Sequence, residues 1–164
     1  ALKNAGGIES IRGSLIDDCA LGERLKQQGP VWLGFSQNVQ SVRASDTVAN
    51  VGHMISRSAY AQLRYSLTIL AGTLLAMTLV FLAPVVITLF GRGWAVVFAA
   101  SAWVLMALAF QPTLRYYRQS AFWGPALPAI AIAYMVFTVN SAIQHFQGRG
   151  GMWKGRAQAQ VSGY

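Results

Sequence analysis

Three long runs without a formally charged residue dominate the second half of the chain. They cover residues 66–90, 94–110 and 121–143. At 1.5 Å per residue the first run would be about 37 Å long as a helix, and a bilayer core is about 30 Å thick. Helices of a soluble bundle carry a polar face, and these runs carry none. The pattern therefore predicts membrane helices, the first two joined as a tight hairpin.

Basic residues flank these runs. Arg57 and Arg64 precede the first run, and Arg115 and Arg118 follow the second. The positive-inside rule places all four in the cytoplasm after two crossings. A third complete crossing would put the basic C-terminal segment outside, which the same rule disfavours. Either the third run is re-entrant or interfacial, or the rule fails here, and the sequence leaves both alternatives open.

The N-terminal part has a mixed pattern. Residues 17–28 have helical periodicity, with acids in the first turn and a Gly-Pro stop at 29–30. Residues 31–35, VWLGF, predict a short strand, with Trp32 in a soluble core. Residues 49–65 combine apolar positions with arginines and a glutamine, which predicts an amphipathic helix lying on the membrane surface.

The distribution of charge separates the two parts further. Of the 164 residues 11% are charged, with 13 Lys and Arg against 5 Asp and Glu, whereas a soluble domain has about 25% charged residues. The five acids are Glu9, Asp17, Asp18, Glu23 and Asp46. A single soluble domain is therefore excluded, and carboxylate chemistry is confined to the N-terminal part. Basic residues scattered around apolar runs favour lipid headgroups over nucleic acid as partners.

The acidic pair is the first candidate for chemistry. Asp17 and Asp18 begin the predicted helix, where two adjacent carboxylates cannot point the same way. One can be held by backbone N–H groups while the other acts as a general base, although such a pair alone is more often a cap. The lone Cys19 gives neither a disulfide framework nor a metal spacing. His53 and His145 are interpreted as surface or interface residues, and no metal site is predicted in this chain.

The wider pattern around the pair resembles the acceptor half of family 2 glycosyltransferases, which have the GT-A fold. The matching positions are Gly6, Gly7, Asp17, Asp18, Leu21, Arg24, Leu25 and Gly29. In that family an acidic pair begins a helix below the sugar-transfer cleft, and its second acid deprotonates the acceptor hydroxyl. The resemblance implies that Asp18 is the base, that Asp17 positions it, and that Gly6 and Gly7 belong to the substrate site.

A second block precedes the first apolar run. Residues 57–65, RSAYAQLRY, resemble the interfacial Gln-x-x-Arg-Trp region of membrane-bound members of the family. Gln62, Arg64 and Tyr65 are therefore candidate substrate-binding residues. Arg64 matches the family's Arg, but Ala61 stands where Gln is expected and Tyr65 replaces Trp. That departure argues against a processive polysaccharide synthase.

A third block lies after the last apolar run. Its sequence Trp-Lys-Gly-Arg recurs near the C-terminus of membrane glycosyltransferases that modify lipids, which makes Trp153, Lys154 and Arg156 candidate interface residues. Together the blocks are most similar to the hopene-associated glycosyltransferases of bacterial hopanoid gene clusters. The resemblance covers nearly the whole chain but only the C-terminal half of such a protein. It implies that a divalent cation, Mg or Mn, is bound by an Asp-x-Asp site in an N-terminal half missing here.

The resemblance implies a definite architecture. We expect an α/β fragment, the acceptor-side part of a GT-A domain, over residues 1–48, and an interfacial helix over 49–65. An α-helical membrane domain of about three transmembrane or re-entrant helices follows over 66–143. A basic tail occupies 144–164.

The expected function is inverting transfer of a hexosyl group from a nucleotide-sugar donor to a lipid acceptor, for which the resemblance suggests a hopanoid. The expected location is the bacterial cytoplasmic membrane, with the catalytic part facing the cytoplasm. The chain alone is expected to be incomplete and inactive. The alternative is a non-catalytic membrane anchor or scaffold. A transporter is poorly supported, because the apolar runs carry no acidic residue to couple ion movement. The sequence leaves the donor sugar and the oligomeric state open.

Overall fold

The computed structural model describes residues 2–11, 14, 16–39, 47–150, 152–153 and 156–157. Six α-helices occur in these ranges, and their bounds in chain order are α1 Asp17–Lys26, α2 Val48–Gln62, α3 Leu67–Met77, α4 Ala83–Phe90, α5 Trp94–Tyr116 and α6 Leu127–Phe146. Short 3-10 helices occupy Ile8–Ile11 and Ala121–Trp123, and a π-helical segment, Thr78–Leu82, joins α3 to α4. Two two-residue strands, β1 Met152–Trp153 and β2 Arg156–Ala157, pair antiparallel.

The predicted α/β fragment of a GT-A domain is wrong. The part of the chain that the structure describes is mainly helical, and its strand pairing is limited to β1 and β2 near the C-terminus. Residues 31–35, predicted as a strand, have no regular secondary structure. Trp32, predicted to lie in a soluble core, is 85% exposed. A five-residue apolar segment is stable as a strand only when neighbouring strands complete its backbone hydrogen bonds, and the described residues around it provide none.

The prediction of membrane helices is confirmed. The continuous helical run Leu67–Phe90, α5 and α6 are each long and apolar enough to cross a membrane. Large apolar side chains cover their outer surfaces; Leu105, for example, is 65% exposed. In a bilayer such side chains contact lipid, whereas in water they would form an unusually large apolar patch. These three helices make the chain a multi-pass membrane protein.

Proline explains the irregular segment in the first of these helices. Pro84 has no N–H group to donate to the carbonyl four residues earlier, so the regular hydrogen-bond ladder cannot run through it. The backbone widens to π-helical geometry over Thr78–Leu82, and the Ala83 N–H bonds to the Thr78 carbonyl five residues back. Single-turn π segments of this kind accommodate a local break without ending the helix.

The chain separates into two compact units. One consists of Ala1–Tyr65 together with Asn140–Tyr164, and the other of Ser66–Val139. In the second unit α4 packs along α5 after a tight turn at residues 91–93. The turn requires Gly91, because a Cβ at that position would collide with the Ile87 carbonyl oxygen. The first unit contains the predicted site residues.

Candidate functional site

The acidic pair lies in the first turn of α1. The cap residue is Ile16, which offers no side-chain hydrogen bond. The Asp17 Oδ1 accepts a bond from the Asp18 N–H at 3.1 Å, and the Asp18 Oδ1 accepts one from the Cys19 N–H at 2.8 Å. Both carboxylates are exposed. Negative charge is favoured here by the helix dipole. The pair is therefore tethered by local backbone bonds and open to a molecule approaching from outside.

The glycine pair lies next to α1. Gly6 and Gly7 have φ values of +89° and +67°, in the left-handed region that glycine adopts without strain. A Cβ on Gly6 would approach the Cβ of Ser10 to 3.2 Å and an Arg24 guanidinium nitrogen to 3.9 Å. Because Arg24 belongs to α1, the glycine turn and the helix that carries the acidic pair are neighbours. The structure thus places Gly6 beside the Arg24 side chain of α1, while Gly7 has no neighbour within 4 Å of a Cβ built on it.

The second block forms the end of α2. Gln62 is the last helical residue, and the chain then turns so that the Tyr65 N–H bonds to the Tyr60 carbonyl oxygen at 3.1 Å. This six-to-one bond is typical of helix ends that place glycine in the left-handed conformation. Here Arg64 and Tyr65 adopt it instead, with φ of 53° and 54°. Each such residue costs about 1–2 kcal/mol. We call residues 62–65 the α2 end turn.

An aromatic cluster holds this turn. Tyr60 is only 2% exposed, and its hydroxyl donates to the Tyr65 carbonyl oxygen at 2.8 Å. The Tyr60 ring packs against other aromatic rings, with ring centroids 5.7 Å from Tyr65, 5.4 Å from His145 and 5.9 Å from Phe146. Tyr65 and His145 stack at 4.4 Å. These four residues are the aromatic cluster, which fixes the α2 end turn against the last turn of α6.

Polar contacts join the same two helices. The Ser141 Oγ accepts a bond from the Tyr60 N–H at 3.0 Å, and the Asn140 side-chain amide donates to the Ser56 Oγ at 3.2 Å. Ser56 and Ser141 are each 3% exposed. Small side chains at a helix contact let the two backbones approach closely. Ser56 and Tyr60 lie four residues apart, with Gly52 one turn earlier, so they share one buried face of α2.

Burial affects the polar groups of two residues of the aromatic cluster, the phenol of Tyr65 and the Nδ1 of His145. Partial burial raises the pKa of the Tyr65 phenol. The phenol therefore stays neutral at physiological pH and is a hydrogen-bonding group there. The His145 Nδ1 is buried and has no hydrogen-bond partner among the described residues. Gly150 covers it, since a Cβ there would lie 3.2 Å from that nitrogen.

The sequence interpretation missed the aromatic cluster. It predicted His145 to be a surface or interface residue without metal-ligand partners, and it did not foresee that the ring stacks on Tyr65. Tyr60 and His145 are 85 positions apart in the numbering, so no local pattern shows their contact. The available signal was the four-residue spacing of Gly52, Ser56 and Tyr60, which marks a buried helix face.

The third block is only partly described. Trp153 pairs with Arg156 across the short antiparallel ladder. Lys154 lies outside the described residues. Their assignment as interface residues stays a prediction.

The predicted site remains in separate pieces. In the described parts of the chain, no hydrogen bond, ion pair or ring contact joins Asp17 or Asp18 to Gln62, Arg64 or Tyr65. The main packing partner of α1 is the 3-10 helix Ile8–Ile11. Among the described residues, the acidic pair and the α2 end turn thus share no direct side-chain contact of these kinds.

The described residues contain no group of three His, Cys, Asp or Glu side chains that could hold a metal ion. A divalent cation such as Mg²⁺ prefers octahedral oxygen coordination, which the acidic pair alone does not complete. The predicted Mg or Mn thus has no ligand set in this part of the chain and stays a prediction. Searches of known protein families, curated proteins and solved structures found no match to the chain. The likeness to glycosyltransferases accordingly rests on the sequence motifs.

Proposed function

We propose that the chain forms the acceptor side of a membrane glycosyltransferase that transfers a hexosyl group from a nucleotide sugar to a lipid hydroxyl. The observation that carries the proposal is the carboxylate of Asp18. It is exposed in the first turn of α1, and one of its oxygens is held by a backbone N–H at 2.8 Å. A general base needs this combination of fixed position and access to substrate.

The proposed reaction uses Asp18 as the base. Its carboxylate takes the proton from the acceptor hydroxyl as that oxygen forms a bond to the anomeric carbon. The bond from the same carbon to the diphosphate oxygen breaks, and the nucleoside diphosphate leaves from the opposite face, which inverts the anomeric centre. Asp17 acts as a positioning residue, because its Oδ1 accepts a bond from the Asp18 N–H.

The acceptor is proposed to be a lipid because the second block lies where the membrane begins. Arg64 is exposed in the α2 end turn, three residues before the apolar helical run Leu67–Phe90. A guanidinium at that level suits either the diphosphate of the donor or a lipid phosphate. Under the positive-inside rule this surface faces the cytoplasm of a bacterial cell. A hopanoid acceptor is the specific expectation from the resemblance.

The decisive experiment is Asp18→Asn in membranes from cells expressing the protein at its natural length. The readout is sugar transferred from a labelled nucleotide donor to extractable lipid. We expect transfer to fall about 10²–10⁴-fold, the usual contribution of a general base. The matched control is Glu23→Gln, an exposed acid later in α1 with no proposed role, which should leave transfer unchanged. Normal glycolipid formation by a well-expressed Asp18→Asn protein would refute the assignment.

A non-catalytic anchor or scaffold is the second candidate. It is favoured by the exposed apolar segment at residues 31–35, where Trp32 and Leu33 are 85% and 96% exposed. Such side chains are typical of a surface that another molecule covers. The double variant Trp32→Ser, Leu33→Ser separates the two candidates. The scaffold is favoured if the double variant loses the protein's biological function while Asp18→Asn leaves sugar transfer unchanged.

A further inference from the structure

The segment before α6 runs back along α5. The Gln111 side-chain amide donates to the Ala121 carbonyl oxygen at 3.1 Å, and the Trp103 indole N–H donates to the Pro125 carbonyl oxygen at 3.1 Å. Trp103 lies in the middle of α5, nine residues after its start at Trp94. After α5 ends at Tyr116, the chain therefore returns by about 20 Å, the rise of 13 helical residues, before α6 begins.

The direction of α6 follows from a second contact. The Thr78 hydroxyl lies 3.7 Å from the Met135 sulfur. Thr78 is twelve residues, or about 18 Å of helix, from the hairpin turn at residues 91–93, and Trp103 is about 14 Å from it. If α6 ran toward that turn, Met135 would lie near the turn itself, far from Thr78. The helix therefore runs the other way, toward the end of the hairpin where α3 begins and α5 ends.

A third contact involves the last turn of α6. His145, in the last turn of α6, stacks on Tyr65 at 4.4 Å. Tyr65 is followed directly by Ser66, whose hydroxyl accepts a bond from the Ile69 N–H and so caps the start of α3. The last turn of α6 thus packs beside Tyr65, which directly precedes the cap residue of α3 in the sequence.

The length of the apolar part of α6 agrees with a helix that returns from mid-membrane to the surface at which the segment entered. Residues 127–139 are apolar apart from the hydroxyls of Tyr134 and Thr138, and the polar pair of Asn140 and Ser141 follows. Thirteen helical residues rise about 20 Å, whereas a complete crossing needs about 20 apolar residues. The rise of about 20 Å equals the depth of Trp103 below the end of α5. The apolar part of α6 is therefore long enough to regain the membrane surface from the depth of Trp103.

We infer that residues 117–146 form a re-entrant element that enters and leaves the bilayer on one side, so that the part of the chain described by the structure crosses the membrane twice. The helix α6 therefore contacts the lipids of one leaflet. Basic residues next to the membrane segments then gather on the side of that leaflet. They are Arg57, Arg64, Arg115, Arg118 and Arg149. Arg92, in the hairpin turn, lies on the opposite side. This arrangement satisfies the positive-inside rule.

Cysteine accessibility tests this arrangement directly. In a Cys19→Ser background, single cysteines replace Gln119, Arg92 and Gln147, which are all exposed in loops next to membrane helices. Sealed vesicles of both orientations are treated with a membrane-impermeant maleimide. Detergent-solubilised samples report the total reactivity of each folded variant.

We expect Gln147→Cys to react from the same side as Gln119→Cys, with Arg92→Cys reacting from the other side only. Reaction of Gln147→Cys from the side of Arg92→Cys would show that α6 crosses completely and would overturn the inference. The result does not depend on any enzymatic activity, so it stands apart from the outcome of the Asp18→Asn experiment.

Discussion

The backbone of Arg64 permits a substitution that should raise stability. Its φ of 53° places an exposed L-residue in the left-handed region, which costs about 1–2 kcal/mol. Glycine adopts this conformation freely but loses about 0.5–1 kcal/mol through the larger entropy of its unfolded chain. The difference leaves Arg64→Gly more stable by about 0.5–1 kcal/mol. In a chain of this size that free energy raises the Tm by about 1–4 °C.

Two matched substitutions test the backbone argument. Arg118, two residues after the end of α5, has a φ of 54°, and the Gln119 N–H makes the same six-to-one bond to the Leu114 carbonyl oxygen. Arg118→Gly should therefore raise the Tm by a similar amount. Gly148, after α6, has a φ of 71° and open space around its Cα. Gly148→Ala should lower the free energy of unfolding by about 1 kcal/mol through conformational strain alone.

The assay is thermal unfolding of the purified protein in one detergent, followed by circular dichroism. A lower Tm for both Arg64→Gly and Arg118→Gly would refute the strain argument. A lower Tm for Arg64→Gly alone would show that the Arg64 side chain makes a stabilising contact. If Arg64 binds a phosphate as proposed, Arg64→Gly should also reduce sugar transfer, while Arg118→Gly should leave it unchanged. Stability and activity would then move in opposite directions at one residue.

Two further predictions concern the aromatic cluster. Tyr60→Phe should lower the free energy of unfolding by about 1 kcal/mol, since it removes one hydrogen bond, and Tyr60→Ala by about 3–5 kcal/mol, since it empties the ring site; equal losses in denaturant titrations would contradict this. The Tyr65 phenol should titrate above the ordinary value of about 10, because burial raises its pKa. Its contribution to stability is complete below pH about 10 and is lost as the pH rises through the folded-state pKa; ultraviolet titration against Tyr65→Phe measures it.

The membrane helices could be predicted because their signal is local and long. A run such as 66–90, without a charged residue, has few alternatives to a membrane helix. The segment 31–35 shows the limit of this argument. An apolar stretch of five residues fits a strand or an exposed loop equally well, and only the presence of pairing partners decides between them. The predicted strand failed for that reason, and the α/β fold class failed with it.

The ends and contacts of the helices were less accessible from sequence. The sequence predicts an interfacial helix over residues 49–65, and the structure has α2 at Val48–Gln62. No glycine or proline marks its end, because Arg64 and Tyr65 take the left-handed positions that glycine usually occupies. The contact of α2 with α6 depends on residues far apart in the chain. Patterns within one helix indicate which face is buried, but not which distant helix covers it.

Asp18 and Arg64, two residues of the proposed site, differ in the contacts that fix their positions. The Asp18 carboxylate is held by the N–H of the next residue and is otherwise exposed. The strained backbone of Arg64 persists because the bond from the Tyr60 hydroxyl and the stack of Tyr65 on His145 fix the residue beside it. Arg64 is thus exposed on a fixed backbone, which suits the recognition of an anionic group. Removal of the Tyr60 ring should therefore weaken the binding of an anionic group by Arg64, while the local geometry of Asp18 stays intact.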